Sequence, residues 1–313
     1  MTPHGFNKLA AFAYCVSFCA LVYARLGPAP VPVYPDPIVA LPENSAVVLT
    51  ANLDRMRLTE LGRQLLDESG GAALPGDCQT VVAHASRVAA AMPRLEHAED
   101  VGVLGAAFSG GFKASELESC VRQSLAQRGQ QLQRHRDADF LRLGGEPTAG
   151  QERNPDAQGV VALRDDGLLL GAPQGYLPQM VAAANRSAPN VRKSEQHRLL
   201  RELVGVNGTL LLSAIWDLPW FPGVRAAALS ADFSPSLRVE LAVRCDDEFR
   251  CAAIATRLRS LEDEPMLKLV GLALPRGSLK VKDLDGLVRA SLDVQVSDAR
   301  PLLRRALELM KSR

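Results

Sequence analysis

The side chains of this 313-residue chain that could do acid–base or nucleophilic chemistry are few and dispersed. Its five histidines, His4, His84, His97, His135 and His197, stand mostly in polar settings, at spacings that give none of them a ligand or catalytic partner. A metal site or a general base needs such partners, so solvent-facing imidazoles are the expectation. There is no G-x-S-x-G elbow, no P-loop, no G-x-G-x-x-G turn and no H-E-x-x-H helix. No catalytic residue is assigned on that basis, and a hydrolase would need a site assembled from distant residues. The glycines of "FSGGFK", 108–113, could let backbone N–H groups approach an anion. A turn that needs a positive φ explains them more simply.

Cysteine is the more informative residue. Two of the six, Cys15 and Cys19, lie in an apolar N-terminal segment, where free cysteine acts as a small hydrophobe. The other four, Cys78, Cys120, Cys245 and Cys251, form an even set, which in an oxidising compartment reads as disulfides. Four cysteines allow three connectivities. "CDDEFRC", 245–251, spans the end of a strand and the first turn of a helix, so local closure there is sterically allowed. That closure leaves Cys78 with Cys120, on two neighbouring helices. With no C-x2-C spacing and no histidine nearby, neither a metal nor a cofactor is expected.

One stretch suits recognition. "AIWDLPWFPG", 214–223, holds both tryptophans, Trp216 and Trp220, together with Phe221, and is stiffened by Pro219 and Pro222. Large aromatics on a stiff loop offer contact area at low entropic cost, which makes these three the expected partner-binding residues. Covering the end of a core is the other role such residues take.

These groups need elements to position them, and the chain supplies a leader, a spacer and a body. Leu9 to Ala24 is sixteen residues without a charge, flanked by Lys8 and Arg25. As a helix it would span roughly 24 Å, a short membrane anchor whose flanking cations can snorkel to the headgroups. The alternative is a cleaved secretory signal ending near Val22-Tyr23-Ala24. Either places the body outside the cytosol; the first helix of a buried core, the third reading of this segment, would not. Pro28, Pro30, Pro32, Pro35, Pro37 and Pro42 then mark a polyproline stalk. The expected organisation is 1–26 signal or anchor helix, 27–42 proline-rich linker, 43–190 first half and 191–313 second half.

Composition fits a globular body: 47% hydrophobic and 23% charged residues argue against disorder. A net charge of +1 and the lack of a basic stripe argue against nucleic acid as a partner. Arginine supplies 29 of the 36 basic residues, alongside heavy use of alanine and leucine, a bias of GC-rich bacterial genomes. Export then means the periplasm or the cell envelope.

Periodicity predicts an α+β fold. "AVVLTAN", 46–52, reads as a buried strand, followed by helices over about 53–68 and 77–92, a strand at 100–108 and a helix to about 127 with Ser115 and Glu118 as a capping box. Short strands near 131–135 and 139–143 precede a polar stretch, 144–159, that reads as a mobile loop. Hairpins turn at Asp166-Gly167 and Asp285-Gly286. Between them come helices near 176–186, 194–204, 247–262 and 264–273, and strands at 209–215, 224–233 and 237–245. Leu237, Val239, Leu241 and Val243 alternate with Arg238, Glu240, Ala242 and Arg244, as in an antiparallel sheet covered by helices on one side only. An amphipathic helix, about 298–311, ends the chain.

"AVVLTANLD", 46–54, matches "TLLLSAIWD", 209–217, and "DDGLLLGA", 165–172, matches "LDGLVRAS", 284–291. Each half also carries a strand leading to a cysteine-bearing helix. A duplicated two-layer sandwich is therefore the expected fold, after the N-terminal transmembrane or signal helix.

Through "ENSAVVLTANLDRMRLTELGRQLL", "ELESCVRQSL" and "ALRDDGLLLGAP", the chain resembles a group of exported bacterial proteins with a leader or anchor, a proline-rich spacer and duplicated α+β domains. The resemblance covers most of 43–311. No activity is established for that group, so it implies architecture and an envelope location and no catalytic residue. The expected function is non-catalytic: binding another envelope component, with the membrane a partner through the N-terminal helix. A hydrolase with a dispersed site and an apolar-ligand or lipid carrier are the alternatives.

Overall fold

The computed structural model describes residues 33–69, 76–94, 104–137, 139–145, 159–215, 223–265 and 272–311. In chain order the elements are β1 (Ser45–Asn52), α1 (Leu53–Leu58), α2 (Glu60–Ser69), α3 (Gly76–Ala83), β2 (Ala85–Pro93), β3 (Gly105–Gly110), α4 (Ala114–Ala126), β4 (Leu132–Asp137), β5 (Phe140–Gly145), β6 (Gly159–Arg164), β7 (Leu168–Pro173) and α5 (Leu177–Ala184). Then follow α6 (Glu195–Val204), β8 (Leu210–Ile215), β9 (Val224–Asp232), β10 (Leu237–Cys245), α7 (Glu248–Ser260), β11 (Leu279–Leu284), β12 (Leu287–Val294) and α8 (Val296–Lys311). Short 3-10 turns at Pro37–Ala40 and Val191–Lys193 complete the set.

The strands form a single twelve-stranded sheet in the order β11, β12, β10, β9, β8, β1, β2, β3, β7, β6, β5, β4. Every neighbouring pair is antiparallel. The protein is thus α+β with a large antiparallel sheet. The pairing of β1 with β8, where Leu49 faces Leu212, has five strands on the β8 side and seven on the β1 side. Outward from that seam each side runs through three consecutive strands and then a reversed hairpin, β1, β2, β3, β7, β6 on one and β8, β9, β10, β12, β11 on the other, with β5 and β4 extending the first side alone. The outer edges are polar strands, "LQRHRD" and "LKVKDL", and charges there block edge-to-edge pairing.

Helices cover both faces, where one covered face was expected. Val48 and Ala51 point to opposite sides of β1, and each sits in a different core. Val48 packs with the turn Pro37–Ala40 and with Tyr176, Leu177 and Met180 at α5. Ala51 packs with Leu53, Met56, Leu61 and Ala299 of α1, α2 and α8. On the first face α6 covers β8 to β10 through Leu200 and Val204. On the second, α4 and α7 cover the two flanks through Leu117 and Cys251.

Three expectations are corrected. The stretch 85–92, read as helix, is strand β2, because its alanines fit where helices press close: Ala89 and Ala91 are fully buried under the 3-10 turn. The end of the proline linker is part of the body. Ile38, Ala40 and Leu41 are buried, and Asp36 caps the turn by accepting from the Ile38 N–H at 3.2 Å. The capping box at Ser115 does not form, since α4 starts after Lys113 without a side-chain cap.

The Asp-Gly hairpin signals act as read, and α7 gains a cap that was not foreseen from the sequence. Gly167 and Gly286 take positive φ in the two hairpin turns. The carboxylate of Asp247 accepts the Arg250 N–H at 2.7 Å to start α7. The N-terminal segment 1–32 and most of 144–159 and 264–273 lie outside the described residues. Among the described residues no helix is long and apolar enough to cross a membrane.

Candidate functional site

The candidate site is a cleft of about 870 Å³ where the end of α5 meets the chain entering the body. Its walls come from Pro35, Asp36 and Val39, from Asp139, from Arg164 and Asp166 beside the β6–β7 turn, and from residues 184–193 after α5. Two ion pairs hold this frame. The Arg164 guanidinium grips Asp166 with two bonds, Nε to Oδ1 at 3.0 Å and Nη2 to Oδ2 at 2.8 Å. It also donates from Nη1 to the Ala184 carbonyl and to Asn185 Oδ1, and lies 5.6 Å from the centre of the buried Phe140 ring. Arg192 closes the opposite wall, donating from Nη2 to Asp36 Oδ2 at 2.5 Å.

The helix end between these pairs has an unusual residue. α5 stops in a doubly bonded turn: the Ser187 N–H donates to the Ala182 carbonyl and the Arg186 N–H to the Ala183 carbonyl. That motif needs a left-handed residue after the cap, normally glycine. Here it is Arg186, with φ of 60°. A side chain in that region costs on the order of 1 kcal/mol.

A second polar cluster sits at the seam of the sheet. His197 on α6 is 1% exposed, in contrast to the solvent-facing imidazole expected, and it shares a helix face with Leu200 and Val204. Its Nε2 lies 2.9 Å from the Ser45 carbonyl of β1 and its Nδ1 2.9 Å from Ser213 Oγ of β8. A carbonyl only accepts, so the proton is on Nε2 and the Ser213 hydroxyl donates to Nδ1. The Ser45 hydroxyl in turn donates to the Pro42 carbonyl at 2.6 Å.

Burial, above all, lowers the His197 pKa. The Ser45 bond opposes that, and the cations Arg201 and Arg94 add to it. Arg201, mostly buried beside Ser213, is lowered by desolvation and partly restored by Asp36. Burial raises the Tyr176 phenol, with Ser45 offsetting part of the rise. The Ser213–His197 contact has the reach of a nucleophile and its base. Ser213 has no exposed surface, and the third partner is a carbonyl rather than a carboxylate, so the contact ties α6 to β1 and β8.

The four body cysteines are bonded as two pairs. Cys78 of α3 joins Cys120 of α4, with S–S 2.04 Å and Cα–Cα 4.7 Å. Cys245 at the end of β10 joins Cys251 in the first turns of α7, with Cα–Cα 5.6 Å. In "FSGGFK" the glycines form no anion nest. The Gly110 N–H donates to the Gly167 carbonyl and the Gly111 N–H to the His84 carbonyl, and a Cβ on Gly110 would collide with that same carbonyl. Trp216, Trp220 and Phe221 lie outside the described residues, so the structure brings them to no site. The cleft was not foreseen from the sequence. Its one local signal is "AAANRSAPN", a helix end with no glycine where one is needed.

No family model matches the chain. No curated protein matches it either. Among solved structures, crystal form III of TP0453 aligns with a TM-score of 0.52 at 9% identity, over 87% of this chain and 98% of that one. Crystal form I of the same protein aligns over the same shares, also at 9% identity, with a TM-score of 0.48. At that identity the likeness to form III speaks to the fold alone.

Proposed function

We propose that the chain is a non-catalytic cell-envelope protein: an N-terminal anchor in the inner membrane, and a disulfide-stapled body that faces the periplasm and binds another envelope component. The observation that carries this reading is the bonding of all four body cysteines in two pairs. Cytosolic thiols are kept reduced, whereas exported domains use such bonds to restrain their unfolded state. Cleavage of the leader would give the same body free in the periplasm. The shared order of strands on either side of the β1–β8 seam, together with the two matched sequence blocks, supports descent from a duplicated α+β unit.

The test is the intact mass of protein isolated from its own host, with free thiols alkylated and no reduction. We expect a full-length mass with only Cys15 and Cys19 alkylated. Alkylation of all four body cysteines would place the chain in a reducing compartment and overturn the reading. The aromatic loop is proposed as the contact with the partner. Trp220→Ala should lose capture of that partner while the urea-unfolding transition is unchanged, and intact capture would remove the loop from the proposal.

A further inference from the structure

We propose that the cleft at the end of α5 binds a small hydroxyl-bearing ligand through an oxyanion, phosphate or carboxylate, held by Arg186 and Lys193. This does not rest on the envelope reading, since it uses neither the leader nor the aromatic loop.

Several polar groups of the lining are already paired with one another. Asp166 is taken by Arg164, and Asp36 by Arg192. The Oδ1 atoms of Asn185 and Asn190 accept from Arg164 and from the Arg192 N–H, which turns both side-chain NH₂ groups into spare donors. Among the described residues, Arg186, Lys193 and Asp139 take part in no ion pair, yet all three line the same cleft. The unspent groups are therefore two cations and two amide donors against one carboxylate. A complementary ligand offers acceptors and negative charge to most of the lining, and a hydroxyl donor to Asp139. The volume, about 870 Å³, suits a small molecule rather than a lone ion.

The backbone supplies independent support. A cation beside a helix C-terminus gains from the dipole, but any position in the last turn would serve. Arg186 is the one non-glycine with positive φ among the described residues, and placing it where glycine is cheaper is a cost that helix capping does not require. Strain of this kind collects at ligand sites, where the side chain is needed for something other than the fold.

The test is calorimetric titration of the full-length chain in detergent with glucose 6-phosphate, glucuronate and uncharged glucose. At least one of the two anions should bind in a salt-sensitive way and glucose should not. Arg186→Gly and Lys193→Ala should each weaken that binding about 10-fold, as expected for loss of a charge-assisted hydrogen bond. Lys280→Ala, an exposed cation on the far edge strand, should leave it unchanged. Binding of only one anion identifies the oxyanion as phosphoryl or carboxyl. Binding of neither, or affinity unchanged in Arg186→Gly, overturns the proposal. Because glycine suits the backbone at 186, the unfolding midpoint of that variant should not fall, and lost binding cannot then be charged to misfolding.

Discussion

The two polar clusters differ in how completely they are satisfied. At the seam, both ring nitrogens of His197 and the hydroxyls of Ser45 and Ser213 are bonded inside the protein, under α6. In the cleft, two ion pairs are closed, while Arg186, Lys193 and Asp139 line it without an ion pair among the described residues. The bonds among His197, Ser45 and Ser213 hold α6 to the sheet, and beside them Arg201 Nη2 and the Tyr176 hydroxyl are buried without a hydrogen-bond partner among the described residues. An open cluster keeps its unpaired charges hydrated and ready for exchange with a ligand. The difference lies in accounting for hydrogen bonds, not in residue type, as both clusters are built from arginine and short polar side chains.

That contrast can be broken at its strongest point first. His197→Ala should cost about 2–4 kcal/mol, since it opens a cavity, removes the acceptor of the buried Ser213 O–H and takes the imidazole N–H away from the Ser45 carbonyl. Urea unfolding measures it; a loss below about 1 kcal/mol would mean that the seam does not depend on the imidazole.

The next effect is on pH. The folded His197 pKa lies below 6.5, so as pH falls through 6.5 the unfolded chain takes up the proton first. The stability it contributes is complete above 6.5 and is lost as pH falls toward the folded value, with a slope of at most about 1.4 kcal/mol per pH unit. Among the described residues no carboxylate acts on the ring to oppose this; the charged groups that do are Arg201 and Arg94. His197→Gln should flatten the urea midpoint between pH 7.5 and 5 relative to the parent chain. An equal slope in both would assign the acid sensitivity elsewhere.

The smallest effect has the opposite sign. Arg186→Gly should raise stability by about 0.5–1 kcal/mol, seen as a rise of a few degrees at most in the thermal midpoint, because glycine relieves the left-handed backbone. A fall would mean that the arginine serves the fold, and the two clusters would then differ less than their geometry says.

Much of the frame was legible from local pattern. The alternation of Leu237, Val239, Leu241 and Val243 marked β10, and the Asp-Gly pairs at 166–167 and 285–286 marked the hairpins, since period and turn chemistry are properties of neighbouring residues. The cysteine pairing was legible for the same reason: 245 and 251 are close along the chain, and four cysteines leave few alternatives. The alanines of β2 misled because alanine favours helix in isolation. What makes them strand is the space available beneath the turn Pro37–Ala40, a fact about distant residues.

The sequence by itself determined the α+β class, the hairpins and the even set of disulfide-forming cysteines, all of which follow from spacing within a few turns of chain or from counting. Only the tertiary structure decided that all twelve described strands share one sheet, that helices cover both its faces, that His197 is a buried tie rather than a surface base, and that residues 36, 139, 166, 186 and 193 meet in one cleft. The physical reason is the same in each case. Burial and hydrogen-bond satisfaction depend on which surfaces come together, and contacts between β1 and β8, or between Asp36 and Arg192, join residues more than a hundred positions apart.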